Sequence, residues 1–159
     1  MERLELIEAL KHVPDRVEAA VAGLPEGALT RRPGKGEWSI KEVVGHLRYA
    51  EEVRSKRLYM VWSQTDPVFT PFDEVATVRE HNYQEADMST LLADLRRLRL
   101  ETVDLLSDAV DWTRTGSQPG VGRRSLRQLA ERALEHDANH LAQIRALKAA
   151  TRRAEEVTK

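Results

Sequence analysis

The feature that most narrows the folds open to this chain is the spacing of its apolar residues, which recur at steps of three and four in four separate stretches. Such steps line up side chains on one face of an α-helix, whereas a half-buried strand alternates at every second residue. The first stretch, Glu2 to about Ala22, carries Leu6, Leu10, Val13, Val17 and Val21. Pro14 inside it has no amide hydrogen and crowds the preceding turn, which predicts a kink or a broken turn. The second stretch reaches about Trp62 and carries Val43, His46, Leu47, Ala50, Val53 and Met60. The third runs from near Ser89 toward Val110 with Leu92, Leu95, Leu98, Thr102, Leu105 and Leu106. The fourth carries Leu126, Leu129, Ala133, His136, His140, Ile144 and Leu147. Two helix starts are marked by capping boxes, Ser39 with Glu42 and Ser125 with Gln128, and Trp38 with Val43 completes a hydrophobic staple at the former.

The intervening segments are rich in helix breakers. Gly23 to Trp38 contains Pro25, Gly27, Pro33, Gly34 and Gly36, and reads as a loop. Gln64 to about Met88 contains Pro67 and Pro71 without a sustained period, longer than a link between antiparallel neighbours needs, so it reads as a crossover. Asp111 to Arg124, with Gly116, Pro119, Gly120 and Gly122, cannot stay helical, and no convincing β-alternation occurs anywhere. The expectation is an all-α, four-helix bundle with a long crossover connection between the second and third helices, residues 1–159 forming a single domain. In that topology the second and fourth helices are antiparallel, which brings His46 level with His136 and His140.

Composition narrows the partners. The 25 basic and 26 acidic residues are interspersed, leaving a net charge of -1 and no broad positive field, so nucleic acid is not an expected partner. No apolar run approaches the roughly 20 residues that span a bilayer, and Met1 to Glu5 lacks the apolar region of a signal peptide; a cytoplasmic location without membrane association is expected. With no cysteine, histidine and carboxylate are the only plausible metal ligands.

His136 and His140 stand one helical turn apart and can grip one ion from the same side. His46 is the other histidine on an inward stripe, and three imidazoles would leave coordination positions open for a reactant. The alternative is that each histidine is a core residue satisfied by its own neighbour, but three such rings without a shared partner would cost several kcal/mol of desolvation. Nitrogen donors suit zinc or nickel, with manganese or iron as further candidates.

Two segments, Gly36-Glu37-Trp38-Ser39-Ile40-Lys41-Glu42-Val43-Val44-Gly45-His46-Leu47 and His136-Asp137-Ala138-Asn139-His140-Leu141-Ala142-Gln143-Ile144, resemble the DinB-like family, also called DinB/YfiT or YfiT-like. The resemblance extends over nearly the whole chain. It implies a four-helix bundle and places His46, His136 and His140 where the family has its three metal-binding histidines. It also implies a small-molecule substrate, a low-molecular-weight thiol among the candidates, since relatives include thiol transferases and thiol-using isomerases; it implies no DNA-binding role.

Other residues are read more plainly. Asp137 follows a histidine as glutamate does in H-E-x-x-H proteases, but is one methylene shorter and reads as a solvated or hydrogen-bonded surface group, not a catalytic one. Gln143 could orient a ligand. His81 and Tyr83 read as surface residues of the crossover, with a role over the metal as the alternative. His12 reads as solvated, and Arg96, Arg97 and Arg99 as an outward helix face, with an acidic substrate as the alternative. Three functions stay open: a metal-dependent thiol transferase or hydrolase, a bundle whose metal is only structural, and a partner-binding module. Met60 and Trp62 mark an expected homodimer surface.

Overall fold

The computed structural model describes residues 1–158. Four long helices dominate it: α1 (Arg3–Val21), α3 (Ile40–Ser63), α5 (Met88–Asp108) and α6 (Leu126–Val157). Short elements fill the connections: α2 (Glu26–Thr30), α4 (Glu74–His81), a 3₁₀ turn (Tyr83–Glu85), and an antiparallel hairpin of β1 (Thr115–Gln118) and β2 (Gly122–Ser125). The four-helix bundle expected from periodicity is therefore present. The loops read as irregular contain α2, α4 and the hairpin, elements too short for periodicity to reveal.

Helix α1 packs on α5 and α6, and α3 packs on the same two helices. Core composition gives the directions. Val17 and Val21 of α1 share an apolar cluster with Val43 and Leu47 of α3, Leu91 and Leu95 of α5, and Leu141 and Ile144 of α6. Leu6 and Leu10 share a second one with Leu58 and Val61, Val103 and Leu106, and Leu126 and Ala130. Helices α3 and α5 are thus parallel, which requires a crossover, and α3 and α6 antiparallel.

A polar layer separates the two clusters. Glu51, Arg99, Thr102 and Asp137 are all at most 2% exposed, and each occupies the next position along its helix's buried stripe. Arg99 donates to Glu51 Oε2 at 2.8 Å and Asp137 Oδ2 at 2.7 Å, while Glu51 Oε1 accepts from the Thr102 hydroxyl at 2.6 Å. Arg99 also donates to the backbone carbonyl of Leu10 at 2.7 Å. That carbonyl is the one Pro14, four residues on and without N–H, leaves free. The predicted break at Pro14 is absent: α1 runs unbroken from Arg3 to Val21, with the lost bond replaced from α5.

Arg99 and Asp137 are therefore corrected from surface to core. Burial alone would push both carboxyls up, but Arg99 and Arg54 outweigh it, holding Glu51 below its usual range and, with His136, Asp137 at about 2. Tyr83 is also corrected: it is buried, and its ring lies where a Cβ on Gly45 would be, pinning the crossover onto α3. Burial pushes its hydroxyl up to about 12. His81 is exposed, as expected, and stacks on Tyr83. His12 is exposed beside Glu8 and Asp15. Arg96 and Arg97 face outward, pairing with Asp15, Glu18 and Glu101. Trp62 is exposed next to Tyr59, and Met60 is half-buried. No helix among the described residues is long and apolar enough to cross a membrane.

Candidate metal centre

Helix α3 delivers His46 through its start. Ser39 accepts from the Glu42 amide at 3.2 Å, and Glu42 accepts from the Ser39 amide at 3.0 Å while Arg32 grips it with two bonds of 2.7 and 2.9 Å. This cap sets the helical phase, and two turns later His46 points inward, 1% exposed. His136 and His140 come from successive turns of α6. The buried stripe of α6 is Leu126, Ala130, Ala133, Asp137, Leu141 and Ile144, so both histidines flank the core rather than occupy it. The stripe read from sequence included them because it followed apolar character, and the charged Asp137 was passed over.

The structure brings the three predicted histidines together. His46 Nε2 lies 3.0 Å from His136 Nε2, and ring centroids stand 5.0 Å (His46 to His136), 4.6 Å (His46 to His140) and 4.5 Å (His136 to His140) apart. Nitrogens from all three lie within 4.8 Å of one another, a group that could hold a metal ion. The indole of Trp38 covers one flank, 5.1 Å from the His46 ring and 6.3 Å from that of His140. On the crossover side, Glu74 Oε1 stands 4.0 Å from His46 Nε2 and 3.9 Å from His136 Nε2. Glu74 is in the first turn of α4, which is capped by Asp73 accepting from the Ala76 amide at 3.1 Å. Glu74 was missed from sequence. The Asp73 cap is legible there, but where α4 lies over the bundle is not.

Neighbours aim the rings. Gln143 Oε1 lies 2.9 Å from His140 Nδ1, which leaves Nε2 as the free ligand atom. His136 Nδ1 lies 3.7 Å from Asp137 Oδ1, so the buried Arg99 network reaches the cluster through the residue next to it. Burial first, then the neighbouring histidines and Arg54, push His46 down to about 3, with Asp137 opposing. Burial also lowers His140, against the Gln143 bond. Rings that stay neutral offer lone pairs without first losing a proton. Two imidazoles facing each other through Nε2 can share only one proton, and His46 Nδ1 is buried without a partner. A cation among the three nitrogens uses every lone pair there. Two nitrogens each about 2.0–2.1 Å from one ion stand roughly 3 Å apart, close to the His46 to His136 separation of 3.0 Å. The donor set fits a divalent ion.

Comparison with known proteins places the chain. The family model described as the DinB superfamily matches residues 9–144, a span that reaches into all four long helices and holds all three histidines. The chain belongs to the DinB superfamily. Among similar members is a Geobacillus thermodenitrificans protein named "Putative metal-dependent hydrolase", 28% identical over 149 residues, 91% of this chain and 83% of that protein. A Bacillus licheniformis protein with the same description is 26% identical over 140 residues, 86% of this chain and 80% of that one. Among solved structures, YfiT from Bacillus subtilis superposes with a TM-score of 0.88 at 24% identity, covering 94% of this chain and 87% of YfiT. YfiT is described as "a probable metal-dependent hydrolase with an unusual four-helix bundle topology". At that identity the likeness establishes the fold, a DinB-superfamily bundle with parallel α3 and α5.

Proposed function

We propose that this protein is a divalent-metal-dependent enzyme that activates water or a low-molecular-weight thiol for attack on a small electrophile, with His46, His136 and His140 holding the ion. The observation that carries the reading is the convergence of three imidazole nitrogens within 4.8 Å under a carboxylate that belongs to none of their helices. A divalent ion held by these three histidines would supply Lewis acidity, lowering the pKa of a water or thiol so that it serves as a nucleophile at neutral pH. Nitrogen donors without sulfur favour zinc or nickel.

The remaining chemistry belongs to the chain. Glu74 Oε1 is within reach of the space the nitrogens enclose, and takes the proton that the nucleophile gives up. Trp38 shields the opposite flank from water. Gln143 keeps His140 in the tautomer and orientation that ligation needs, and Asp137 sets a negative charge beside His136. The names borne by relatives support the hydrolase form, and the proton-accepting Glu74 serves either form. With half its surface exposed, the Glu74 side chain leaves the site open to a reactant, which a purely structural ion would not require.

Untagged protein loaded with zinc or nickel should turn over either a carboxylic ester or a pairing of bacillithiol, mycothiol or glutathione with a model electrophile. Glu74→Gln should retain the ion but lose most turnover, and His140→Ala should lose both. Turnover in neither assay above the His140→Ala background, with the ion bound, would reduce the site to a structural one.

A further inference from the structure

Beside the histidines lies a cavity of about 200 Å³ between α3, α6 and the crossover, and its lining is chemically two-sided. Val53, Phe72 and Leu129 give it apolar walls, whereas Arg54, Arg57 and Arg132 give it cations; His136 and Glu74 form the boundary with the candidate metal centre. The three arginines differ in what already balances them. Arg54 donates to Glu51 Oε2 at 2.7 Å and lies 3.7 Å from Asp137 Oδ1. With Arg99 it completes a buried group of two cations and two carboxylates, which is neutral.

Arg57 and Arg132 have no such balance. Arg57 is half-buried, and donates only to neutral oxygens, Gln118 Oε1 at 3.0 Å and the Thr70 carbonyl at 2.7 Å. The ring of Phe72 lies 5.7 Å from its guanidinium carbon. Burial and the nearby Arg54 charge both disfavour its protonated form. Among the described residues, no carboxylate lies within 4.0 Å of Arg57 or Arg132, whereas Arg54 in the same lining pairs with Glu51. A half-buried guanidinium facing a cavity without a counter-ion is costly unless a ligand supplies the charge, and its planar donors match a carboxylate.

We infer that this cavity is a substrate subsite for a carboxylate borne on a small apolar or aromatic frame, the carboxylate held by Arg57 and Arg132 and the frame lying along Phe72 and Leu129. The subsite rests on the reading above for its catalytic purpose, since it would hold one end of a substrate whose other end reacts at the histidines. Its volume sets a limit on that end: ligand pockets for drug-sized molecules run to about 300–1,000 Å³, so this one takes a compact group. Glu74, on the histidine side, repels a second carboxylate from the reacting end, which favours monoanions over dianions.

The test uses benzoate and its uncharged counterpart benzamide, titrated by calorimetry and by ¹H–¹⁵N NMR into the whole chain, both chelator-treated and zinc-loaded. Benzoate should bind saturably without metal and shift amides around Val53, Phe72 and Leu129, while benzamide should bind at least about tenfold more weakly, the scale of one charge-assisted contact. Arg132→Gln, at an exposed position without hydrogen-bond or ion-pair partners among the described residues, should weaken benzoate about tenfold and leave zinc affinity unchanged. Because Arg57→Gln could disturb the Thr70 and Gln118 contacts, Arg57→Lys serves beside it as a variant that keeps the charge. The inference is overturned by equal binding of benzoate and benzamide, by benzoate binding unchanged in Arg132→Gln and in the double Arg57→Gln/Arg132→Gln variant, by binding only when zinc is present, or by no saturable binding. Benzoate bound by a protein that holds no zinc would leave this subsite standing and remove the metal reading instead.

Discussion

His140 reaches the cluster with one ring nitrogen already committed, because Gln143 Oε1 lies 2.9 Å from its Nδ1. Gln143→Leu removes that partner while keeping size and helix propensity, so the protein should fold normally but bind zinc about 10–100-fold more weakly, by competition with a chelating dye. His46 makes a different prediction. Its folded pKa of about 3 lies below the usual 6.5, so between those values the unfolded chain binds more protons than the folded one. Stability then rises with pH across that window, and the metal-free protein should melt progressively lower as pH falls from about 7 to about 5, where few other groups titrate. His140, also lowered by burial, acts in the same direction within that window, whereas Glu51 and Asp137 do so only at lower pH, because their depressed pKa values lie below the ordinary carboxylate range. Melting curves of chelator-treated protein, compared with His46→Leu, measure the effect; an equal slope in the variant would remove His46 as its source. At this scale much was legible. The one-turn spacing of His136 and His140 needs only helical geometry, whereas Glu74 approaches them through space from a segment without a repeating pattern.

Among the elements, α3 shows a local rule yielding to packing. A glycine inside a helix ordinarily costs about 1 kcal/mol relative to alanine, so Gly45→Ala should strengthen an isolated α3. In the folded protein a methyl group there would meet the Tyr83 ring, and overpacking of that kind costs about 1–3 kcal/mol. Gly45→Ala should therefore destabilise the protein in urea titrations. In a Tyr83→Ala background the same change should become neutral or stabilising, because the obstruction is gone. Helix α1 supplies the second case. Pro14 breaks the hydrogen-bond ladder at Leu10, yet the freed carbonyl is satisfied by Arg99, from 89 residues away in the chain. Pro14 frees the carbonyl as its chemistry requires, but the break expected from it does not form, because the replacement partner comes from another helix.

For the whole molecule, the decisive feature is the charged layer between two apolar clusters. Removing one partner from a buried ion pair leaves an uncompensated charge and costs about 3–5 kcal/mol, while an exposed pair contributes about 0–1 kcal/mol. Arg99→Leu should thus lower the urea midpoint severely, and Arg96→Leu, three residues away but paired with Asp15 and Glu18 at the surface, should barely change it. Because Asp137 adjoins His136, Arg99→Leu should also weaken zinc binding even where the protein remains folded. The register of this layer was readable in principle: Arg99 and Asp137 each fall four residues from buried apolar neighbours on both sides, and Glu51 falls four after Leu47 and seven before Leu58. A charged side chain at a core position looks the same in sequence as one on a solvated edge until its partners are known.

What the amino-acid order decides here is therefore local and periodic: which segments are helices, where capping boxes begin them, and that three histidines lie on faces able to meet. Those properties depend on backbone geometry over a few residues, which spacing encodes directly. Only the tertiary structure decides that Arg99 is a core cation, that α4 sets Glu74 over the histidines, and that Arg57 and Arg132 line one cavity with no carboxylate paired to either among the described residues. Each of these is a contact between segments distant along the chain, and its energy depends on separation and on exclusion of water, neither of which exists before the helices pack.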